Sequence, residues 1–173
     1  NNTAVGYAAS YSSTTADNNT AIGYFSLFTT TTGGSNVAVG NDALRLSTTG
    51  PFCTAIGNQA GYNNTTGIAN IGIGYQGLYN TTTGGGNIGI GYTTTASAAT
   101  TSFEIVIGYL VAGKGASTGY LAPGQGGGGG VYQGNNSATW SVTSDQRLKK
   151  NIVDNNIGLD KINAIQVRNF EYR

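Results

Sequence analysis

Asn2-Thr3-Ala4-Val5-Gly6, Asn19-Thr20-Ala21-Ile22-Gly23 and Asn36-Val37-Ala38-Val39-Gly40 are copies of one pentapeptide set 17 residues apart, and that spacing decides the fold. The glycine column runs on through Gly57, Gly74, Gly91 and Gly108, each preceded by isoleucine at Ile56, Ile73, Ile90 and Ile107. Three residues before this aliphatic column stand Asn2, Asn19, Asn36, Asn70 and Asn87, interrupted by Cys53 and Glu104. Five residues after the glycine lies a partly aromatic column of Tyr11, Phe28, Tyr62 and Tyr79, with Arg45 as the exception. A Thr/Gly/Asn-rich stretch closes each unit, as in residues 29–34 and 81–86, and those residues favour turns.

A unit this short cannot bury its own apolar side, so it must stack on its neighbours and align identical residues in columns. One coil per repeat is the simplest solution. Seventeen residues accommodate two short strands and two turns, and a rise of about 4.8 Å per coil makes seven coils roughly 34 Å long. The fold expected is therefore all-β, a parallel β-roll or solenoid over residues 1–120. The column glycines are expected at bends where φ is positive or where another backbone comes close. The asparagines before the strand are expected to close turns through their side chains.

Composition agrees with this reading. Of 173 residues 29 are glycine and only 9% are charged, which is too few charges for a disordered chain of this hydrophobicity. A net charge of +1 gives no footprint for nucleic acid, and no apolar run approaches the roughly 18 residues of a membrane helix. Cys53 is the sole cysteine and histidine is absent, so an internal disulfide, a His/Cys metal site and a His-based triad are all excluded. No cofactor or metal is expected. The G-x-G-x-x-G at Gly72, Gly74 and Gly77 is explained by the repeat, since no helix and no acidic residue follow at the distances a dinucleotide site needs. Asp17, Asp42 and Glu104 fall in different turns, which gives a polysaccharide hydrolase no carboxylate pair and a calcium-binding solenoid too few ligands. An ice-binding face is disfavoured because the threonines sit in the turn-rich part of the unit and vary in number.

Residues 121–139 read as a Gly/Asn/Ser-rich connector, and a different sequence follows. Residues 1–143 carry only five charged side chains, whereas residues 144–173 carry ten, which marks a boundary. Asn156 is placed to cap a short helix with Leu159, Ile162 and Ile165 on one face, followed by a strand at Phe170 and Tyr172. Thirty residues make no core alone, so residues 140–173 read as the start of an α+β domain.

Two resemblances add to this. The pentapeptides resemble the head repeats of trimeric autotransporter adhesins and similar repeats of phage tail fibres, which implies a left-handed, homotrimeric β-roll over residues 2–120. The run Trp140-Ser141-Val142-Thr143-Ser144-Asp145-Gln146-Arg147-Leu148-Lys149-Lys150 resembles the opening of the intramolecular chaperone domain of phage tail spikes and endosialidases. That resemblance implies a chaperone that trimerises the fibre and cuts itself off before Ser144, with Ser144 as nucleophile and Lys149 as base. A lysine whose pKa is lowered by burial can activate a serine hydroxyl without histidine. The function implied is a structural tail fibre in the virion, with other virion proteins and a host receptor such as a glycan as partners. A bacterial surface adhesin is the alternative.

Overall fold

The structure is a computed structural model, and it describes residues 1–124, 129–134 and 141–142. The chain divides into two units, Asn1–Thr143 and Ser144–Arg173, and every described residue belongs to the first. Ser144, Lys149 and the helix and strand expected over residues 156–172 lie outside the described residues.

Each pentapeptide forms one strand. β1 (Thr3–Val5), β2 (Thr20–Ile22), β3 (Val37–Val39), β4 (Thr54–Ile56), β5 (Ile71–Ile73), β6 (Ile88–Thr95), β7 (Ile105–Ala112) and β8 (Gly119–Ala122) pair in parallel, each with the next. From β1 to β7 the register is the repeat itself: Val5 pairs Ile22, Ile22 pairs Val39, and so on to Ile90 with Ile107. β9 (Val131–Gln133) then pairs antiparallel with β8, and β10 (Ser141–Val142) with β9, so the stretch read as a connector contributes a strand to the ten-stranded sheet. The described architecture is thus an all-β solenoid of about seven turns.

Only one strand per repeat forms, where two were expected. The second half of the coil instead places left-handed residues two and four positions after the column glycine: Phe25 and Leu27, Asp42 and Leu44, Gln76 and Leu78, with φ between 48° and 56°. A non-glycine residue there costs roughly 1–2 kcal/mol. Hydrogen bonds between coils oppose that cost. The Asp42 amide donates back to the Tyr24 carbonyl at 2.9 Å, and the Leu44 amide donates forward to the Ala60 carbonyl at 3.0 Å. The inter-coil ladder therefore continues around the coil without needing extended backbone.

The left-handed leucines enter a very thin core. Ala21, Ala38 and Ala55 from the middle of each strand are buried against Leu27, Leu44, Ala43 and Ala60. Where the repeat brings Gly72 opposite Gly77, a Cβ on Gly72 would stand 2.5 Å from the Gly77 carbonyl oxygen. This is why glycines of the G-x-G-x-x-G run are needed here: the two walls of the roll nearly touch. At the C-terminal end Val106, Val111, Tyr120 and Ala122 form a second cluster, and the Lys114 ammonium lies 4.6 Å from the Tyr120 ring centre.

The column glycines satisfy both expectations at once. Their φ values run from 111° to 156°, and a Cβ on Gly6 would meet the Gly23 carbonyl oxygen at 2.5 Å. Gly57 repeats this against Gly74, whereas Gly115 has φ of 126° but open space around it. Gly57→Ala is expected to cost more than about 3 kcal/mol and to lower the melting midpoint by roughly 10 °C, against about 1–2 kcal/mol for Gly115→Ala. Circular dichroism melts of the two variants check this; equal losses would contradict it.

Candidate functional site

The asparagine column forms an internal ladder, and this corrects its reading as a turn-closing device. Within a coil, the Asn19 Nδ2 donates to the Gly33 carbonyl at 2.9 Å, tying the strand entry to the last corner. Toward the next coil, the Asn19 Oδ1 accepts the Asn36 amide at 2.8 Å. Asn2, Asn36, Asn70 and Asn87 repeat both bonds, and Asn19, Asn36, Asn70 and Asn87 are buried. A buried amide satisfied on both ends fixes the register, because a slipped coil would leave two polar groups unpaired.

The two interruptions have specific compensations. Cys53 still donates its amide to Asn36 Oδ1 and its thiol to the Gly67 carbonyl at 3.3 Å, while Asn64 moves in beside it and accepts from Asn70 Nδ2 at 3.2 Å. Burial pushes the Cys53 thiol pKa up, so it stays protonated and able to donate. Glu104 is fully buried, and its carboxylate accepts from the Ser97 amide, the Ser97 hydroxyl and the Gly115 amide at 2.7–3.1 Å. It is a structural acceptor inside the fold. Asp42 pairs with Arg45 at 2.8 Å, and Asp17 lies on the surface. Among the described residues no three His, Cys, Asp or Glu side chains come together as a metal site, and no helix is long and apolar enough to cross a membrane.

The outer surface carries what the thin interior cannot hold. The central residue points inward from β2 to β7, as Ala21, Ala38, Ala55, Gly72, Gly89 and Val106, so its neighbours point outward. The residue after it is aliphatic in each strand from β1 to β7, and the one before it is aliphatic in β3, β5, β6 and β7 and threonine in β1, β2 and β4. Val5, Ile22, Ile56 and Ile105 are 58%, 39%, 42% and 43% exposed, with Val39, Ile73, Ile90, Ile107, Val37, Ile71 and Ile88 half-buried beside them. The chain bends at the column glycine, and directly after it comes a second aromatic column: Tyr7, Tyr24, Tyr75, Tyr92 and Tyr109, all exposed. Its period of 17 was readable, but two asparagines, Asn41 and Asn58, mask it. Tyr7 and Tyr24 stack at 5.3 Å between centres, and Tyr75, Tyr92 and Tyr109 stack at 4.9 and 5.0 Å. The first aromatic column stacks likewise, Tyr11 on Phe28 and Tyr62 on Tyr79. Arg45 belongs to it after all, its guanidinium lying 5.8 Å from the Phe28 ring centre and 4.5 Å from that of Phe25.

The threonines hold stricter register than their varying number suggested. Thr14, Thr31, Thr48, Thr65 and Thr82 each donate a hydroxyl to the carbonyl 17 residues on, at 2.9–3.3 Å. Thr15, Thr32, Thr49, Thr66 and Thr83 form an exposed column beside them, at a bend. The first column's hydroxyls are committed to holding the coils together.

No family model matches the chain, and neither a curated protein nor a solved structure matches it. Asn36→Ala is expected to leave the Cys53 amide and the Gly50 carbonyl without partners, at about 1–3 kcal/mol each. Exposed Asn41→Ala should change stability by less than about 0.5 kcal/mol. Urea unfolding of both variants measures the contrast, and a harmless Asn36→Ala would remove the ladder from the account.

Proposed function

We propose that the chain is a segment of a trimeric fibre, a phage tail fibre that takes part in host attachment, in which three left-handed rolls pack their outward aliphatic columns against one another. The observation that carries this is the inversion of the strand: from β2 to β7 alanine, glycine or Val106 faces in, while the valine and isoleucine column from Val5 to Ile107 faces out in unbroken register over seven coils. A continuous apolar patch of that length on a soluble surface marks an interaction site. A second copy of the same chain is the natural cover, since a column with an identical repeat meets itself in matching steps. The pentapeptides' likeness to adhesin-head and tail-fibre repeats supports three copies.

The same reading assigns residues 144–173 to the opening of a chaperone that releases itself. The bond at which cutting is expected lies between Thr143 and Ser144. In this reaction the Ser144 hydroxyl adds to the Thr143 carbonyl and gives its proton to the Lys149 amine. The peptide C–N bond breaks as the Ser144 nitrogen leaves with a proton, and water then hydrolyses the ester that joins Thr143 to Ser144.

Two experiments test the reading. Sedimentation equilibrium should give three times the 17.6 kDa chain mass, and Ile73→Asp should abolish assembly, because three carboxylates would be desolvated at one level of the interface. A stable wild-type monomer, or an unaffected Ile73→Asp trimer, rejects it. For the cleavage, a trimeric precursor with its complete C-terminal region should be cut between Thr143 and Ser144 in the wild type and stay whole as Ser144→Ala or Lys149→Ala. Intact mass spectrometry reads the outcome, and a whole wild-type trimer overturns the assignment.

A further inference from the structure

The outward face of the roll is one column wider than its strands, and the extra column holds phenylalanine where the fold of one chain has no use for it. Exposure alternates from two residues before each strand: Phe52, Thr54 and Ile56 face out while Cys53 and Ala55 are buried, and Phe103, Ile105 and Ile107 face out around buried Glu104 and Val106. The corner residue thus shares a face with the outward strand residues. Its backbone is left-handed in six coils, with φ from 56° to 68° at Asn18, Ser35, Phe52, Ala69, Gly86 and Phe103. Asparagine and glycine tolerate that conformation, whereas a phenylalanine there is strained. Leu27 is also left-handed, but it fills the core; Phe52 and Phe103 are 63% and 68% exposed and bury little against their own chain.

The corner is apolar over four successive coils. The Phe103 ring lies over Gly86, where a Cβ would stand 2.7 Å from its Cδ1, and Ala69 follows Phe52 in the column. Ile68, 51% exposed, adjoins Ala69. No charged residue occurs at positions 51–52, 68–69, 85–86 or 102–103, so the surface suits an apolar partner. Across the same face, the opposite edge is the aliphatic column from Val5 to Ile107, which ends at the glycine bend; the tyrosines beyond that bend turn off the face.

We propose that the phenylalanine corner of one chain packs on the Ile56-to-Ile107 column of the next, so that three chains close into a ring through unlike edges of one face. This rests on the fibre reading and names the contact that assembles it. A three-fold contact is heterologous: what a chain offers on one side must be received by a different surface of its neighbour. The face has two such edges, with the column of Thr54 and Ile105 between them and toward the axis. Rotation about an axis parallel to the roll keeps each coil at its own height, which sets Phe52 level with the neighbour's Ile56 and Phe103 level with its Ile107. Rings and isoleucines are both three coils apart, about 14 Å, so they meet in step. Ile56 is 42% exposed and Ile107 half-buried on one chain, and covering them together with the rings offsets the strain at each phenylalanine.

The test places a cysteine on each edge of the full chain, as Phe103→Cys with Ile107→Cys. After mild oxidation the double variant should run as a covalent trimer on a denaturing gel, because position 103 of each chain links to position 107 of the next and the third bond closes the ring. Within one chain the two positions are roughly 13 Å apart, beyond the reach of a disulfide, and Cys53 is buried. Each single variant should stay unlinked. Separately, Phe52→Ser with Phe103→Ser should keep the circular dichroism of the fold, since Ser35 holds the same corner at φ of 60°, while its trimer dissociates at a chain concentration at least tenfold above that of wild type. If the cysteine pair prevents assembly, the serine pair decides. A trimeric double-cysteine variant without links, a single-cysteine variant that links, or a double-serine variant that associates like wild type overturns the proposal. Sedimentation of the same samples separates the readings: a trimer with any of those results keeps the fibre and removes this packing, whereas a wild-type monomer removes both.

Discussion

Every coil of this protein hands backbone polar groups to the coils on either side of it, and buried asparagine side chains serve groups that this ladder leaves over, because an unpaired polar group in so thin an interior is costly. That constraint explains features that look unrelated in a single repeat. Glycine stands at each bend because the next coil's carbonyl occupies the space of a side chain. Asparagine stands before each strand because one amide can serve its own coil through the nitrogen and the next coil through the oxygen. Left-handed leucines are tolerated because they keep the amide ladder running where the chain is not extended. Each costs something alone, and the hydrogen bonds with the neighbouring coils offset it.

The same constraint inverts the usual distribution of side chains. The strand's inward positions take small residues, where the two walls nearly touch, and leucines such as Leu27 and Leu44 fill the rest of the core, so the strand's valines and isoleucines and most of the aromatic residues go outside. There the solenoid sorts them into columns: aliphatic along the strand, aromatic beyond the bend and five residues past the glycine. A solenoid built this way is a scaffold with long, regular, chemically uniform stripes, which suits assembly with copies of itself. Its irregularities are then informative. At Cys53 and Glu104 the internal ladder changes chemistry but keeps its bonds. At Asn41 and Asn58 the outer column loses its rings and gains amides.

The period of 17, the parallel stack and the bends at the column glycines were legible because each depends on a residue type repeated at one spacing. The G-x-G-x-x-G run was also correctly absorbed into the repeat. What sequence did not disclose was direction. A three-residue strand alternates in, out, in, or the reverse, and Thr-Ala-Ile fits either choice until the thickness of the coil is known. A second strand was expected because seventeen residues have room for two, yet the chain takes a tighter path there, with φ near 50° at Phe25 and Leu27. Length alone does not tell an extended path from a tighter one. The tyrosine column went unread because its two gaps fall in adjacent repeats, and Arg45 seemed foreign to its column because a guanidinium that lies against a ring is not apolar.

The central claim is that the outward aliphatic columns are covered in the assembled protein while the aromatic column beyond the bend stays open. Hydroxyl-radical footprinting read by mass spectrometry measures both on one sample. The account expects Val39, Ile56, Ile73 and Ile90 to be oxidised several-fold more slowly in the assembled protein than their exposure on one chain implies, while Tyr24 and Tyr75 react as open side chains. Oxidation of Ile56 and Ile73 at the rate of freely exposed isoleucine would contradict it.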